Sequence, residues 1–199
     1  MRPEFKIISQ WIPEHAHVLD LGCGNGALLA HLQQQKHITG IGIEIDPDDI
    51  NACIEKGLTI IEQDINQGLS NFADDLFDVV IMSLTLQTMK RPDHVLNEIL
   101  RIGKQAIVVF PNFAHWRSRW HLWAKGRMPV ATFMPYQWYD TPNIHFCTIY
   151  DFEALCQTNG ISLRNHAYFQ SKKNLPSILD PFRNILCSQA MYHLARTAD

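Results

Sequence analysis

The chain has 199 residues, 46% apolar and 19% charged, with 17 Lys and Arg against 20 Asp and Glu for a net charge of -3. That length suits one domain around a single sizeable core, and the charge gives no whole-protein case for nucleic acid or an anionic membrane as partner. Five scattered cysteines (Cys23, Cys53, Cys147, Cys156 and Cys187) form no C-x-x-C pair, which argues against a disulfide framework or a metal site and fits a reducing cytoplasm.

Met1 to Trp11 lacks the apolar centre of a signal peptide, and no apolar run approaches the length of a membrane span. Phe5, Ile8 and Trp11 share one face of a short helix that Pro13 stops. Val18 to Leu21 reads as a first strand, handing over to Gly22, Gly24 and Gly26 and then to a helix from Ala27 to about Gln35. Thr39 to Ile45 is a second strand. Pro47 opens a helix in which Asp48 and Asp49 complement the dipole, and Gly57 closes it. Leu58 to Ile61 is a third strand, Asp64 to Leu76 a polar loop, and Phe77 to Met82 a fourth strand. A helix from Pro92 to Ile102 ends at Gly103, and the apolar run Ala106 to Phe110 suits a strand covered on both faces. Thr148 and Asp151 form a capping box for a helix to Thr158, before two closing strands, Ile161 to Gln170 and Gln189 to Thr197, paired at one sheet edge. Strands alternating with helices predict an α/β fold: a Rossmann-like, mostly parallel seven-stranded sheet with helices on both faces.

The chemistry concentrates in Val18-Leu19-Asp20-Leu21-Gly22-Cys23-Gly24-Asn25-Gly26. Glycines allow backbone to approach a ligand where a Cβ would collide. A carboxylate just before such a loop suits a ligand carrying an amino group and a sulfonium charge, and is a poor neighbour for pyrophosphate. Asp20, Glu44 and Asp64 end or follow the first three strands, and in an open parallel sheet these ends line one crevice. Glu44 is placed to accept two ribose hydroxyls, and Asp64, after Gln63, to receive an adenine amine. S-adenosylmethionine is therefore favoured. A dinucleotide, for which Gly22, Gly24 and Ala27 also satisfy the glycine pattern, and a glycine turn with no ligand stay as competitors.

Between Ile99 and Tyr139 there is no acidic residue, while Arg101, Lys104, Arg117, Arg119, Lys125 and Arg127 are all positive. Trp116, Trp120, Trp123 and Trp138 lie here too, and Phe113, Trp116, Trp120 and Trp123 step by three and four along one helix face. A lid helix whose Trp face covers the sheet, combined with a docking surface, ranks above nucleic-acid or membrane binding. Among catalytic candidates, His115 reads as a surface residue, Tyr136 and Tyr139 as packing aromatics, Asp140 as the start of an Asx turn, and His145 as unassigned. No base-and-orienter pair emerges, so catalytic residues remain unknown.

VLDLGCGNG, GIGIEIDP, EQD and FDVVIMS resemble the successive motifs of class I S-adenosylmethionine-dependent methyltransferases over roughly the first 110 residues. PNFAHWRSRWHLWAKGRMP, PYQWYDTPNIHFCTIYDFEALC and Leu84-Thr85-Leu86-Gln87 extend the resemblance over nearly the whole chain to the methionine biosynthesis protein MetW family. The resemblance implies a single methyltransferase-like domain over residues 1–199. Its parts are a donor-binding half (1–110), an aromatic and basic lid or docking insertion (111–147), and a C-terminal helix with edge strands (148–199). It implies S-adenosylmethionine or S-adenosylhomocysteine held by Asp20, Gly22, Cys23, Gly24, Glu44, Ile45, Asp64 and Ile65, with Met82 and Ser83 walling the site. It also implies a cytosolic role in methionine synthesis beside a MetX-type homoserine O-acyltransferase, acetyl- or succinyl-transferring, and leaves a homodimer open. Gln87 replaces a histidine often found after strand four, and no Asn/Asp-Pro-Pro-Tyr motif occurs. An accessory role is accordingly set above independent methyl transfer to an unidentified small molecule.

Overall fold

Alternate residues along the central strands face opposite sides, and both sides are covered. The computed structural model describes residues 3–131, 135–170 and 173–197, so residues 132–134 of the aromatic insertion lie outside it. In chain order the elements begin α1 (Pro3–Trp11), β1 (His17–Leu21), α2 (Ala27–Lys36), β2 (Thr39–Glu44), α3 (Pro47–Glu55) and β3 (Thr59–Glu62). β4 (Phe77–Ser83), α4 (Pro92–Ile102), β5 (Gly103–Pro111), α5 (Trp116–Lys125) and α6 (Ile149–Thr158) follow. The chain closes with β6 (Ile161–Gln170), β7 (Lys173–Asn174), α7 (Arg183–Leu186) and β8 (Gln189–Arg196).

The strands form one sheet in the order β3-β2-β1-β4-β5-β8-β6-β7, parallel from β3 through β5 and antiparallel beyond. Among the described residues the sheet has eight strands rather than the seven anticipated. The extra one is the two-residue β7, which pairs with the end of β6 and carries no hydrophobic alternation to mark it. The last strand also lies inside the sheet: β8 runs between β5 and β6.

Two cores follow from the period-2 alternation of these strands. Leu19, Leu21, Val80, Met82, Val108 and Phe110 face α4 and α6, meeting Leu96, Ile99, Leu100, Ile149, Phe152 and Cys156. Val18, Val79, Ile81, Ile107 and Val109 face the other way, meeting Ile8 of α1 and Leu28, Leu29 and Leu32 of α2. Truncating one of the buried leucines or isoleucines to Ala should cost about 2–5 kcal/mol. The 64–76 segment is less polar than it reads. It contains a 3-10 turn, Ile65–Gln67, and buries Ile65, Leu69 and Phe72 in the α4-side core.

The capping box is present: Thr148 Oγ1 accepts from Asp151 N at 3.2 Å, and Asp151 Oδ2 accepts from Thr148 N at 3.0 Å. A polar cluster fastens the C-terminal part of the sheet. Arg183 donates through Nε (3.1 Å) and Nη2 (2.8 Å) to Glu153, whose Oε1 also accepts from Tyr192 Oη at 2.6 Å. No helix among the described residues is long and apolar enough to cross a membrane.

Candidate functional site

The first three parallel strands end together. Asp20 is in register with Gly42 of β2 and Ile81 of β4, and Glu44 with Glu62 of β3. Past Leu21 the chain turns sharply, with Gly22, Gly24 and Gly26 at φ +69, +53 and +72. This left-handed region disfavours residues with a Cβ. Gly22 and Cys23 donate to the carbonyl of Ile43 at 2.9 and 3.1 Å, which sews the elbow to β2.

The three glycines do different work. A Cβ on Gly26 would collide with Leu58 and Cys53, so that glycine serves packing of the α2 start. A Cβ on Gly22 would meet Thr85 Oγ1 at 2.6 Å and Cγ2 at 2.7 Å. Only Gly24 faces open space, its nearest neighbour being Asp49 Oδ2 at 3.8 Å. Of the elbow glycines, Gly24 is the one that leaves room for a ligand.

Asp20 is 2% exposed, and its Oδ1 finds no hydrogen-bond partner among the described residues. Burial, with the charge of Glu44 adding to it, pushes its carboxyl up to about 7. A buried acceptor of this kind calls for a cationic partner. Glu44 is held from three sides: Oε2 accepts from Gly24 N at 2.8 Å, and Oε1 from Ile45 N at 2.7 Å and Asp46 N at 3.1 Å. Asp46 caps α3, accepting from Asp48 N and Asp49 N. Burial together with Glu44, Asp46 and Asp48 raises the Asp49 carboxyl. So many carboxylates around the elbow favour a cation and repel a pyrophosphate.

Asp64 follows β3 and caps the short turn, its Oδ1 accepting from Asn66 N at 2.9 Å and Nδ2 at 3.1 Å. Cys23 and Cys53 both lean on the carbonyl of Gly24, at 3.6 and 3.1 Å. Burial pushes both thiols up, with Asp20 adding to the effect at Cys23, which leaves them as neutral packing groups. Ile45 is exposed beside Glu44, whereas Ile65 and Met82 are buried in the α4-side core beneath the crevice. Ser83 lies at the end of β4, its carbonyl accepting from Thr85 Oγ1 at 3.3 Å. The structure thus gathers Asp20, Gly22, Cys23, Gly24, Glu44 and Asp64 at one end of the sheet. Thr85 enters the sequence reading only within the segment Leu84–Gln87, and nothing there marks its seat against Gly22.

The aromatic segment departs from expectation in several ways. α5 begins at Trp116, leaving Phe113 before it, and its Trp face turns to solvent: Trp120 is 61% and Trp123 78% exposed. The helix is therefore not a lid with its indoles on the sheet; only Ser118 of α5 is buried. His115 is buried rather than superficial and caps α5, its Nδ1 accepting from Arg117 N at 3.3 Å. Burial, then the nearby Arg117 charge, lowers its imidazole pKa. Tyr136 and Tyr139 are exposed, and Tyr139 meets Trp138 edge-on at 5.7 Å. The turn there is made by Thr141, whose Oγ1 accepts from Asn143 N at 3.1 Å, and not by Asp140. His145 lies against Lys90, Nε2 to O 3.4 Å.

The fold is shared with solved methyltransferases. It matches an S-adenosylmethionine dependent methyltransferase from Mesorhizobium loti with a TM-score of 0.71 at 13% identity, covering 98% of each chain. It matches a possible histamine N-methyltransferase from Thermotoga maritima at 0.67 and 16% identity, covering 98% of this chain and 88% of the other. The architecture is therefore that of the Rossmann-like S-adenosylmethionine-dependent methyltransferases. Within that class, the chain belongs to the family described as methionine biosynthesis protein MetW, whose family model matches residues 2–194. A curated relative, the bifunctional methionine biosynthesis protein MetXA/MetW of Rhodopirellula baltica, is 40% identical over 157 residues, which is 74% of this chain. The chain spans only 25% of that relative's length.

Proposed function

We propose that this chain is an S-adenosylmethionine-binding accessory subunit of a homoserine O-acyltransferase, acting in methionine biosynthesis. The observation that carries the reading is the relative in which a sequence like this one fills a quarter of a bifunctional MetXA/MetW chain. Joining two domains in one chain keeps them at high effective concentration, which benefits proteins that work in contact.

The residues present fit the methyl donor. The orphaned Oδ1 of Asp20 suits the amino group of its methionine part, Glu44 the ribose hydroxyls, the open side of Gly24 the backbone approach, and Asp64 the adenine amine. When bound, S-adenosylmethionine supplies an electrophilic methyl group, and transfer then depends on positioning an acceptor and on any base that takes its proton. The nearby candidates do not supply such a base. His115 caps a helix, Tyr136 and Asp140 are exposed without a side-chain partner among the described residues, and the His145 imidazole meets only the carbonyl of Lys90. Donor binding without a catalytic pair is what a subunit reporting methionine-derived S-adenosylmethionine to an early enzyme needs.

The exposed Trp120 and Trp123, with Arg117 and Lys125 on the same helix, supply anchors for the acyltransferase, since Trp and Arg concentrate interface energy. Co-purification with the acyltransferase, followed by acyl-transfer assays with and without S-adenosylmethionine, tests the proposal. Failure to associate, or rates indifferent to this subunit, would overturn it. The second reading, a methyltransferase for a small molecule, rests on the shallow aromatic cleft of about 20 Å³ lined by Phe113, Tyr136, Trp138 and Phe146. A methylated product formed from labelled donor, and lost on Glu44→Ala, would decide for it.

A further inference from the structure

One short turn joins the donor crevice to the aromatic segment. Leu84 opens it at φ +62, a left-handed conformation that a large side chain adopts only when its surroundings impose it. Its N–H is held by the carbonyl of Val109 at 2.8 Å. This conformation seats Thr85 on the bare Cα of Gly22. Gln87 follows, 6% exposed, with Nε2 donating to Leu84 O at 2.6 Å and Oε1 lacking a partner among the described residues. The main-chain oxygen of Gln87 accepts from both Ile144 N (3.0 Å) and His145 N (3.1 Å).

A second arm starts at Asp64. Asn66, bound to Asp64, accepts through Oδ1 from Lys90 N at 2.8 Å, and the carbonyl of Lys90 meets His145 Nε2. Both arms therefore end on the strap 143–147. The strap in turn holds the start of the aromatic segment: Phe146 packs on Phe113 at 4.9 Å, and Phe113 N donates to Cys147 O at 3.1 Å. Three residues on, α5 begins.

A ligand with its amino group at Asp20 and its ribose at Glu44 spans the elbow between them, and Thr85 stands at the Gly22 end of that span. We propose that the Ser83–Gln87 turn is a two-position reporter: Thr85 rests on Gly22 until the methyl donor lifts it, and lifting it frees the strap that positions the aromatic face. This rests on the donor-site reading above and adds to it the route by which occupancy reaches the docking surface. Strain at Leu84 and the unpaired Gln87 Oε1 are the features of an element with a second arrangement near in free energy.

Hydrogen exchange of the full chain with and without S-adenosylhomocysteine, alongside calorimetry, tests it. The Ile144 and His145 amides should exchange about tenfold faster with ligand bound, while β8 amides stay unchanged. Binding heat with unaltered exchange at 144 and 145 overturns the reporter and leaves the donor site standing. Absence of binding heat overturns both. Thr85→Ala, which removes the two atoms against Gly22, should speed the same amides without ligand and tighten affinity a few-fold by relieving the competing arrangement. Thr85→Ser should fall between, and a Thr85→Ala protein with parental exchange and affinity would refute the proposal.

Discussion

Glu44 reaches back across the glycine elbow to accept the N–H of Gly24 at 2.8 Å, so the end of β2 and the loop after β1 move as one piece. The second carboxylate oxygen ties in Ile45 and Asp46, so one side chain shapes the crevice floor and the start of α3. Glu44→Gln can satisfy one side of this clamp and not both. It should cost about 1–3 kcal/mol of stability and weaken donor binding tenfold or more, read by chemical denaturation and calorimetry.

Asp20 holds its proton up to about pH 7 in the fold, and releases it near the ordinary value of 3.8 when unfolded. Between those limits the folded chain binds the extra proton, so this carboxyl lowers stability as pH rises through the window. Asp20→Asn removes that penalty. Its melting temperature should exceed the parent's at pH 8, by an amount reflecting on the order of 2–4 kcal/mol, and match it near pH 4. Donor binding should be lost at both.

At the proposed donor site the same carboxyl should set the pH response of binding. A cationic ligand needs the ionised form, so affinity should be flat above pH 7. Below it, affinity should fall by about tenfold per pH unit until the bound complex itself protonates. Calorimetric titrations of the parent at pH 6, 7 and 8 check this.

Gly24 and Gly26, with only Asn25 between them, should fail differently. Gly26→Ala drives a Cβ into Leu58 and Cys53 and should destabilise the fold by about 2–4 kcal/mol. Gly24→Ala meets open space, so its folding cost should be about 1–2 kcal/mol for the left-handed backbone alone. Its loss of donor affinity should be the larger effect. Thermal melts and calorimetry on the two variants separate the outcomes.

Trp120 and Trp123 touch each other at 5.0 Å and are otherwise turned outward. Replacing both with Ala should leave the melting temperature unchanged. Association with the acyltransferase should weaken by about 2 kcal/mol or more, roughly 30-fold, measured by surface plasmon resonance.

The parallel half of the fold was legible because its rules are local. Glycine punctuation, the acid after each strand and the Thr148–Asp151 pair each act within a few residues. The same holds for the carboxylates of the crevice, which need only strand ends in sequence order. What escaped depends on distant partners. Trp116, Trp120 and Trp123 show helical spacing, but spacing does not say whether a stripe meets a core or solvent. His115 reads as superficial until Arg117 N is seen to close on it. The segment Leu84–Gln87 carries the resemblance but does not place Thr85, whose seat follows Leu84 at positive φ with its N–H on Val109 O.

The insertion of β8 between β5 and β6 has a consequence for how the chain is made. Ala106 is in register with Leu194, and Gln105 Oε1 meets His193 Nε2 at 2.6 Å across 88 positions. Until those late residues leave the ribosome, the apolar strand Ala106–Phe110 presents an open ladder of amides and carbonyls to the cell. Such an edge pairs readily with other chains. Closure of the sheet is thereby tied to β8, and truncations that remove it should yield aggregates rather than a smaller domain.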